Sequence, residues 1–153
     1  MMLEAGTSLP ERRIDFVSPD TMQAWAPILA DPNPIHLDRE AVRASGLGDR
    51  RINQGPINVA YVMDMLQAAL PGGIIERFSN RFVDNVYEGE ALLANATVTS
   101  VEQRNGIVRI GCDFVLTSLE RGPVITGKSV VAIPEGTMIS LGWTIAGSPD
   151  AQP

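Results

Sequence analysis

The chain has 153 residues, an ordinary globular composition and a formal charge of −6, so it is long enough to bury one core as a single domain. No basic stripe is present to neutralise phosphates, which excludes nucleic acid as an expected partner. No apolar run is long enough to cross a bilayer and Met1–Pro10 carry no cleavable signal pattern, so no membrane association and a cytoplasmic location are expected.

Residues 1–12 read as an N-terminal arm, and Ile14-Asp15-Phe16-Val17 alternates as a short strand. Ser18-Pro19-Asp20 is a helix start, with a capping serine, a proline in the first turn and an acid behind it. Met22, Trp25, Ile28 and Leu29 form the expected inward face, and Pro27 bends or shortens the helix. The chain then enters Asp31-Pro32-Asn33-Pro34-Ile35-His36, which contains the only histidine. Its prolines fix two φ angles and push Asp31 and Asn33 toward extended backbone, so one stiff loop carries a carboxylate, a carboxamide and an imidazole. Such a loop suits a general acid/base pair, which needs geometry before it needs a tuned pKa. Asp38 caps a short helix that Gly46 and Gly48 end.

Pro56 opens a helix running to about Leu70, stopped by Pro71-Gly72-Gly73. Within it only Asn58, Asp64 and Gln67 are polar, so it is expected to be buried nearly all round. The remainder is β: Arg77 to Val83, a turn at Glu88-Gly89-Glu90, Leu92 to Val101, an Asn105-Gly106 hairpin, an alternating strand through Val108, Ile110, Cys112, Phe114 and Leu116, and a last strand from Val124 to Ile133. Cys112 falls on the apolar face and reads as a small core residue rather than a nucleophile. Arg12-Arg13 and Arg50-Arg51 are surface pairs with the charge to meet an anionic group on a ligand. One histidine and one cysteine give too few ligands for a metal site, and no nicotinamide or flavin fingerprint appears. Residues 136–153 read as a C-terminal tail, with a place across a partner subunit one possibility for it.

The stretch Ala30 to Asp38 resembles the hydratase motif of the MaoC-like family, which includes (R)-specific enoyl-CoA hydratases. The motif runs roughly Gly-Asp-x-Asn-Pro-(aliphatic)-His, and only its leading glycine is replaced here, by Ala30. Gln54-Gly55-Pro56 stands where that family commonly has His-Gly and an apolar residue, and Val86 to Glu90 is similar to its Pro-Val-x-x-Gly-Asp turn. The resemblance covers roughly residues 13–135 and implies an α+β hotdog fold, a curled antiparallel sheet wrapped around a central helix. It also implies a hydratase or dehydratase acting on a 2-enoyl thioester, with coenzyme A or an acyl carrier protein as the carrier and no other cofactor.

In that reading Asp31 and His36 are catalytic, Asn33 supports the loop, and the Gly55 N–H binds the thioester oxygen at the helix N-terminus. Gln54, Asn58, Tyr61 and Met63 are the candidate pocket residues. At least a homodimer is expected, because one sheet and one helix leave an apolar face open. Thioesterase, specialised dehydratase or cyclase, and non-catalytic subunit of a hetero-oligomer are the alternatives within the same fold.

Overall fold

Turn chemistry sets the frame. A computed structural model describes residues 1–146, with elements β1 (Met2–Leu3), β2 (Arg12–Ile14), α1 (Pro19–Ile28), a 3-10 turn at Pro34–His36, α2 (Arg39–Ala44), α3 (Gly55–Ala69), β3 (Ile74–Phe82), β4 (Leu92–Arg104), β5 (Ile107–Ser118), β6 (Gly122–Pro134), α4 (Glu135–Ser140) and β7 (Thr144–Ile145). Asn105 and Gly106 both adopt positive φ, 53° and 73°, and form the two-residue link between Arg104 and Ile107. That is the turn whose twist matches a β-hairpin, and it fixes the β4–β5 register. The larger sheet is antiparallel throughout, in the order β2-β4-β5-β6-β3.

The period-two pattern points one face of this sheet at α3. Leu92, Ala94, Ala96 and Val98 of β4 and Val108, Ile110, Cys112, Phe114 and Leu116 of β5 are buried with Val62, Met65, Leu66 and Ala69 of α3. The central helix is therefore wrapped on one side by the curled sheet, as expected. It is not buried all round: Ala60, Met63 and Asp64 are exposed, and Asn58 is inside. The expected β-strand at Arg77 begins earlier, at Ile74, because Gly73 ends the helical turn and Ile74 already pairs with Ala132.

The inward face of α1 also differs from the expected one. Met22 and Ala26 are buried, whereas Trp25 and Ile28 are 42% and 68% exposed. The apolar face of this helix is wider than its single contact surface can cover, so spacing alone does not choose which stripe goes in.

The two ends of the described chain meet. The first residues run along β4, with Gly6 N–H donating to Val98 O and Leu9 N–H to Ala96 O, and Leu3 and Leu9 are buried. α4 places Met138 in the core, and β7 pairs in parallel with β1. Of the expected tail at residues 136–153, Met138 and β7 make these contacts; 147–153 lie outside the described residues.

One close approach makes a testable demand. A Cβ at Gly127 of β6 would collide with the Ser79 carbonyl oxygen and with the Phe114 ring, itself stacked on Phe78 at 4.7 Å between centroids. Gly127→Ala should lower the unfolding free energy by about 1–3 kcal/mol in urea titration, the usual cost of overpacking.

Candidate active site

The site begins with the way α1 ends. Ala30 takes the left-handed conformation at φ 50°, its N–H donates to Pro27 O, and the N–H of Asp31 reaches back to Ala26 O. These two bonds form a Schellman motif, whose left-handed residue is usually glycine. Here is the physical reason for a glycine at the head of the resembled motif, and Ala30 fills the position at a steric cost. The motif turns the chain sharply, so that Asp31 leads off the loop.

Side-chain to backbone hydrogen bonds then fold the loop. Asn33 N–H donates to Asp31 Oδ1 at 3.3 Å, and Ile35 N–H donates to Asn33 Oδ1 at 3.3 Å, which caps the 3-10 turn at Pro34–His36. Asn33 therefore shapes the loop. With Oδ1 of Asp31 engaged, Oδ2 lies 3.2 Å from His36 Nε2. On its other side the imidazole places Nδ1 2.6 Å from the carbonyl oxygen of Ile52. A carbonyl only accepts, so Nδ1 carries a proton and donates it. In the neutral ring the lone pair is then on Nε2, and a proton bound between it and Oδ2 turns this contact into a hydrogen bond. His36 is 8% exposed, while the Asp31 side chain is 33% exposed and open to incoming ligand.

The carbonyl anchor ties the pair to the start of α3. Ile52 precedes Gly55 by three residues, a span of at most about 10 Å. Gly55 is the first residue of α3; Pro56 has no N–H and Ile57 N–H donates to Gln54 O, so the Gly55 N–H is the leading group left open, and the Gln54 side chain does not cap it. A Cβ at Gly55 would meet the Phe82 ring at 3.2 Å, so this position is small because an aromatic ring lies over it. Gln54 is fully buried and donates through Nε2 to Met22 O at 2.8 Å, which fastens α1 to the α3 start. Asn58, also buried, accepts at Oδ1 from Asn53 Nδ2 at 2.6 Å.

A groove of about 310 Å³ runs between α1 and α3, lined by residues that include Trp25, Leu29, Pro56, Ile57, Ala60 and Tyr61. It starts beside the helix N-terminus and extends to Asp64, eight residues or about 12 Å further along the axis. Of the four candidate pocket residues, only Tyr61 faces it. Burial raises the pKa of the Tyr61 hydroxyl, with an opposing contribution from the Asn53 amide. Gln54 and Asn58 are buried at the helix start, and Met63 is exposed away from the groove lining.

The charged groups around this region mostly satisfy one another. Arg12 pairs with Asp64, Arg13 with Asp15, Arg50 with Glu90 and Glu120, and Arg51 with Glu88. Burial would raise the pKa of Glu88, but the hydrogen bond from Arg39, the N–H of Arg51 and both guanidinium charges outweigh it and hold the carboxyl below its ordinary range. Cys112 takes no part: burial pushes its thiol up to about 11, so it is not a thiolate near neutral pH. Three contributors were not read from the sequence: the Ile52 carbonyl, the Phe82 ring and the Glu88 carboxylate. A backbone acceptor has no residue signature, and Phe82 reads as ordinary strand. Glu88 was visible only as part of a turn, because Arg39 and Arg51 lie 49 and 37 positions away in sequence.

The profile described as "MaoC like domain" matches residues 4–113. The chain belongs to the MaoC-like domain family. Within reach of this MaoC-like chain is the mitochondrial 3-hydroxyacyl-[acyl-carrier-protein] dehydratase of Arabidopsis thaliana, 32% identical over 92 residues, which are 60% of this chain and 54% of that protein. The match thus spans about half of that relative's length. Among solved structures, the (R)-hydratase of A. caviae involved in PHA biosynthesis superposes with a TM-score of 0.76 at 25% identity, over 86% of this chain and 98% of that one. The unliganded R-hydratase PhaJ1 of Pseudomonas aeruginosa gives 0.75 at 24% identity, over 87% and 83%. The MaoC-like chain has their hotdog fold.

The alanine in the Schellman position yields a prediction. Ala30→Gly should raise the unfolding free energy by about 0.5–1 kcal/mol in denaturant titration, because relief of the left-handed strain exceeds the added freedom of the unfolded chain.

Proposed function

We propose that this protein is a hydratase or dehydratase that adds or removes water across the double bond of a 2-enoyl thioester, with the (R) outcome of the hydratases it resembles. The observation that carries the reading is the Asp31–His36 contact of 3.2 Å with the far imidazole nitrogen anchored on Ile52 O. Water is a poor nucleophile until it loses a proton, and the α-carbon must gain one. A carboxylate and an imidazole side by side supply both transfers. In hydration, the pair takes a proton from water as its oxygen bonds to the β-carbon and holds that proton between Asp31 Oδ2 and His36 Nε2. The same proton is then given to the α-carbon, so the pair ends as it began and both parts of the water molecule are accounted for. Because both groups come from one loop, both transfers are handled on one face of the substrate, which accounts for syn addition.

Negative charge on the thioester oxygen is assigned to the start of α3, with the Gly55 N–H as donor. The groove beside it would take the acyl chain, with Tyr61 in its wall. Coenzyme A or an acyl carrier protein would carry the thioester, and the names of the relatives include an acyl-carrier-protein dehydratase and an (R)-hydratase. No helix among the described residues is long and apolar enough to cross a membrane. The cytoplasmic expectation belongs with this proposal, although the Arabidopsis relative is named as mitochondrial.

The test is hydration of crotonyl-CoA and longer enoyl-CoA substrates, followed by loss of enoyl absorbance. Asp31→Asn and His36→Gln should each lower kcat by about 10²–10⁴-fold, the usual contribution of a general acid or base. Undiminished activity in Asp31→Asn would remove that residue from the mechanism, and thiol release from saturated acyl-CoA would favour a thioesterase.

We also propose a homodimer, joined along β3. Its outer edge has no neighbour among the described residues, and Ile74, Phe82 and Val83 are exposed on or beside it. Sedimentation should give twice the mass of one chain, and a charged residue at Ile74 should shift the equilibrium toward monomer.

A further inference from the structure

Two glutamates of the Tyr87–Glu90 turn are buried, and each is held by two arginines. They differ in what those arginines belong to. Glu90 binds Arg121 at 2.6 Å and Arg50 at 3.6 Å, and so joins the turn to the far end of the β5–β6 connection. Glu88 accepts from Arg39 Nε at 2.5 Å through Oε1 and from Arg51 Nε at 2.8 Å through Oε2. Its Oε1 also accepts the backbone N–H of Arg51 at 3.1 Å, and its own N–H donates to Arg51 O at 2.9 Å.

The positions of Arg39 and Arg51 give this arrangement its meaning. Arg39 opens α2, three residues after His36, and Arg51 immediately precedes Ile52. Between them the chain from Ser45 to Arg51 has no regular structure and includes two glycines at positive φ. A segment of that kind does not by itself hold the Ile52 carbonyl at a fixed distance from an imidazole. Direct bonds contribute, from Ile52 N–H to Ile35 O and from Asn53 N–H to Val86 O. Glu88 adds a charged cross-link just outside both ends of the His36–Ile52 contact, where charge-assisted bonds are the stronger ones.

We propose that Glu88 is a positioning residue: its carboxylate clamps Arg39 to Arg51 and so keeps His36 Nδ1 on the Ile52 carbonyl and Nε2 toward Asp31. It does not touch the reacting atoms. Its effect is to keep one imidazole tautomer, with the lone pair on the nitrogen that faces the site. The catalytic consequence rests on the proposed hydratase reading, whereas the clamp itself does not.

Because His36 is the only histidine, its ring nitrogens can be followed without ambiguity by ¹⁵N NMR of the full chain. In the unaltered protein Nδ1 should show the signature of a protonated ring nitrogen. Glu88→Gln, which keeps the shape and removes the charge, should move both nitrogens toward the average of the two tautomers and lower kcat on crotonyl-CoA by roughly tenfold or more, with KM changed less than about twofold. Glu90→Gln is the matched comparison, a buried glutamate with two arginines of which only Arg50, at 3.6 Å, lies on the Ile52 segment and neither lies on the His36 side, and it should move the imidazole signals much less. Arg39→Gln, at a half-exposed side chain, should shift the signals in the same direction as Glu88→Gln and decides the matter if the latter does not fold. The proposal is overturned if the folded Glu88 and Arg39 variants keep the parent imidazole signals, or if Glu90→Gln moves them equally. Shifted signals in a protein with no hydratase activity would sustain the clamp and refute the proposed reaction instead.

Discussion

The hydrogen bond from His36 Nδ1 to the Ile52 carbonyl is the constraint on which the rest of the site depends. It selects the proton-bearing nitrogen, turns the opposite nitrogen to Asp31, and joins a loop after α1 to the segment that becomes α3. A backbone acceptor is well suited to this, because its charge does not change with pH and its position is set by the fold rather than by a rotamer. Everything around it serves to keep two chain segments in register: the Schellman turn at Ala30, the Asn33 cap, and the bonds from Ile52 and Asn53 to their neighbours.

The α3 entrance shows the same economy of position. Gln54 links it to α1, Asn53 links it to Val86 and to Asn58, and Phe82 lies across Gly55. Three consecutive residues thus attach the helix start to α1, to the Val86 turn and to β3. A buried amide at each of positions 53, 54 and 58 makes this a polar junction inside an otherwise apolar core, where the Gln54 Nε2 and Asn53–Asn58 hydrogen bonds fix one arrangement more sharply than packing alone.

The sequence made the frame readable where local chemistry has one structural solution. Asn105-Gly106 marked its hairpin, Ser18-Pro19 and Asp38 marked their helix starts, and the alternation through Val108 and Leu116 marked the buried face of β5. The loop carrying Asp31 and His36 was legible because its prolines and its spacing to one histidine are specific. Less legible was anything decided by partners distant in sequence. Trp25 and Ile28 have the period of a core face but end exposed, since burial depends on what another element can cover. Glu88 looked like a turn residue because its two arginines lie 49 and 37 positions away. The residues beyond Pro134 have too little periodicity to reveal that Met138 fills a core position.

Those same residues bear on how the molecule opens. The Met2–Leu3 strand has only Thr144–Ile145 beside it, and that short ribbon sits next to a helix anchored through Met138. Neither Met2–Leu3 nor Thr144–Ile145 can peel away without stripping the other of its strand partner. The two strands should therefore open together in amide hydrogen exchange, although nearly the whole described chain separates them in sequence.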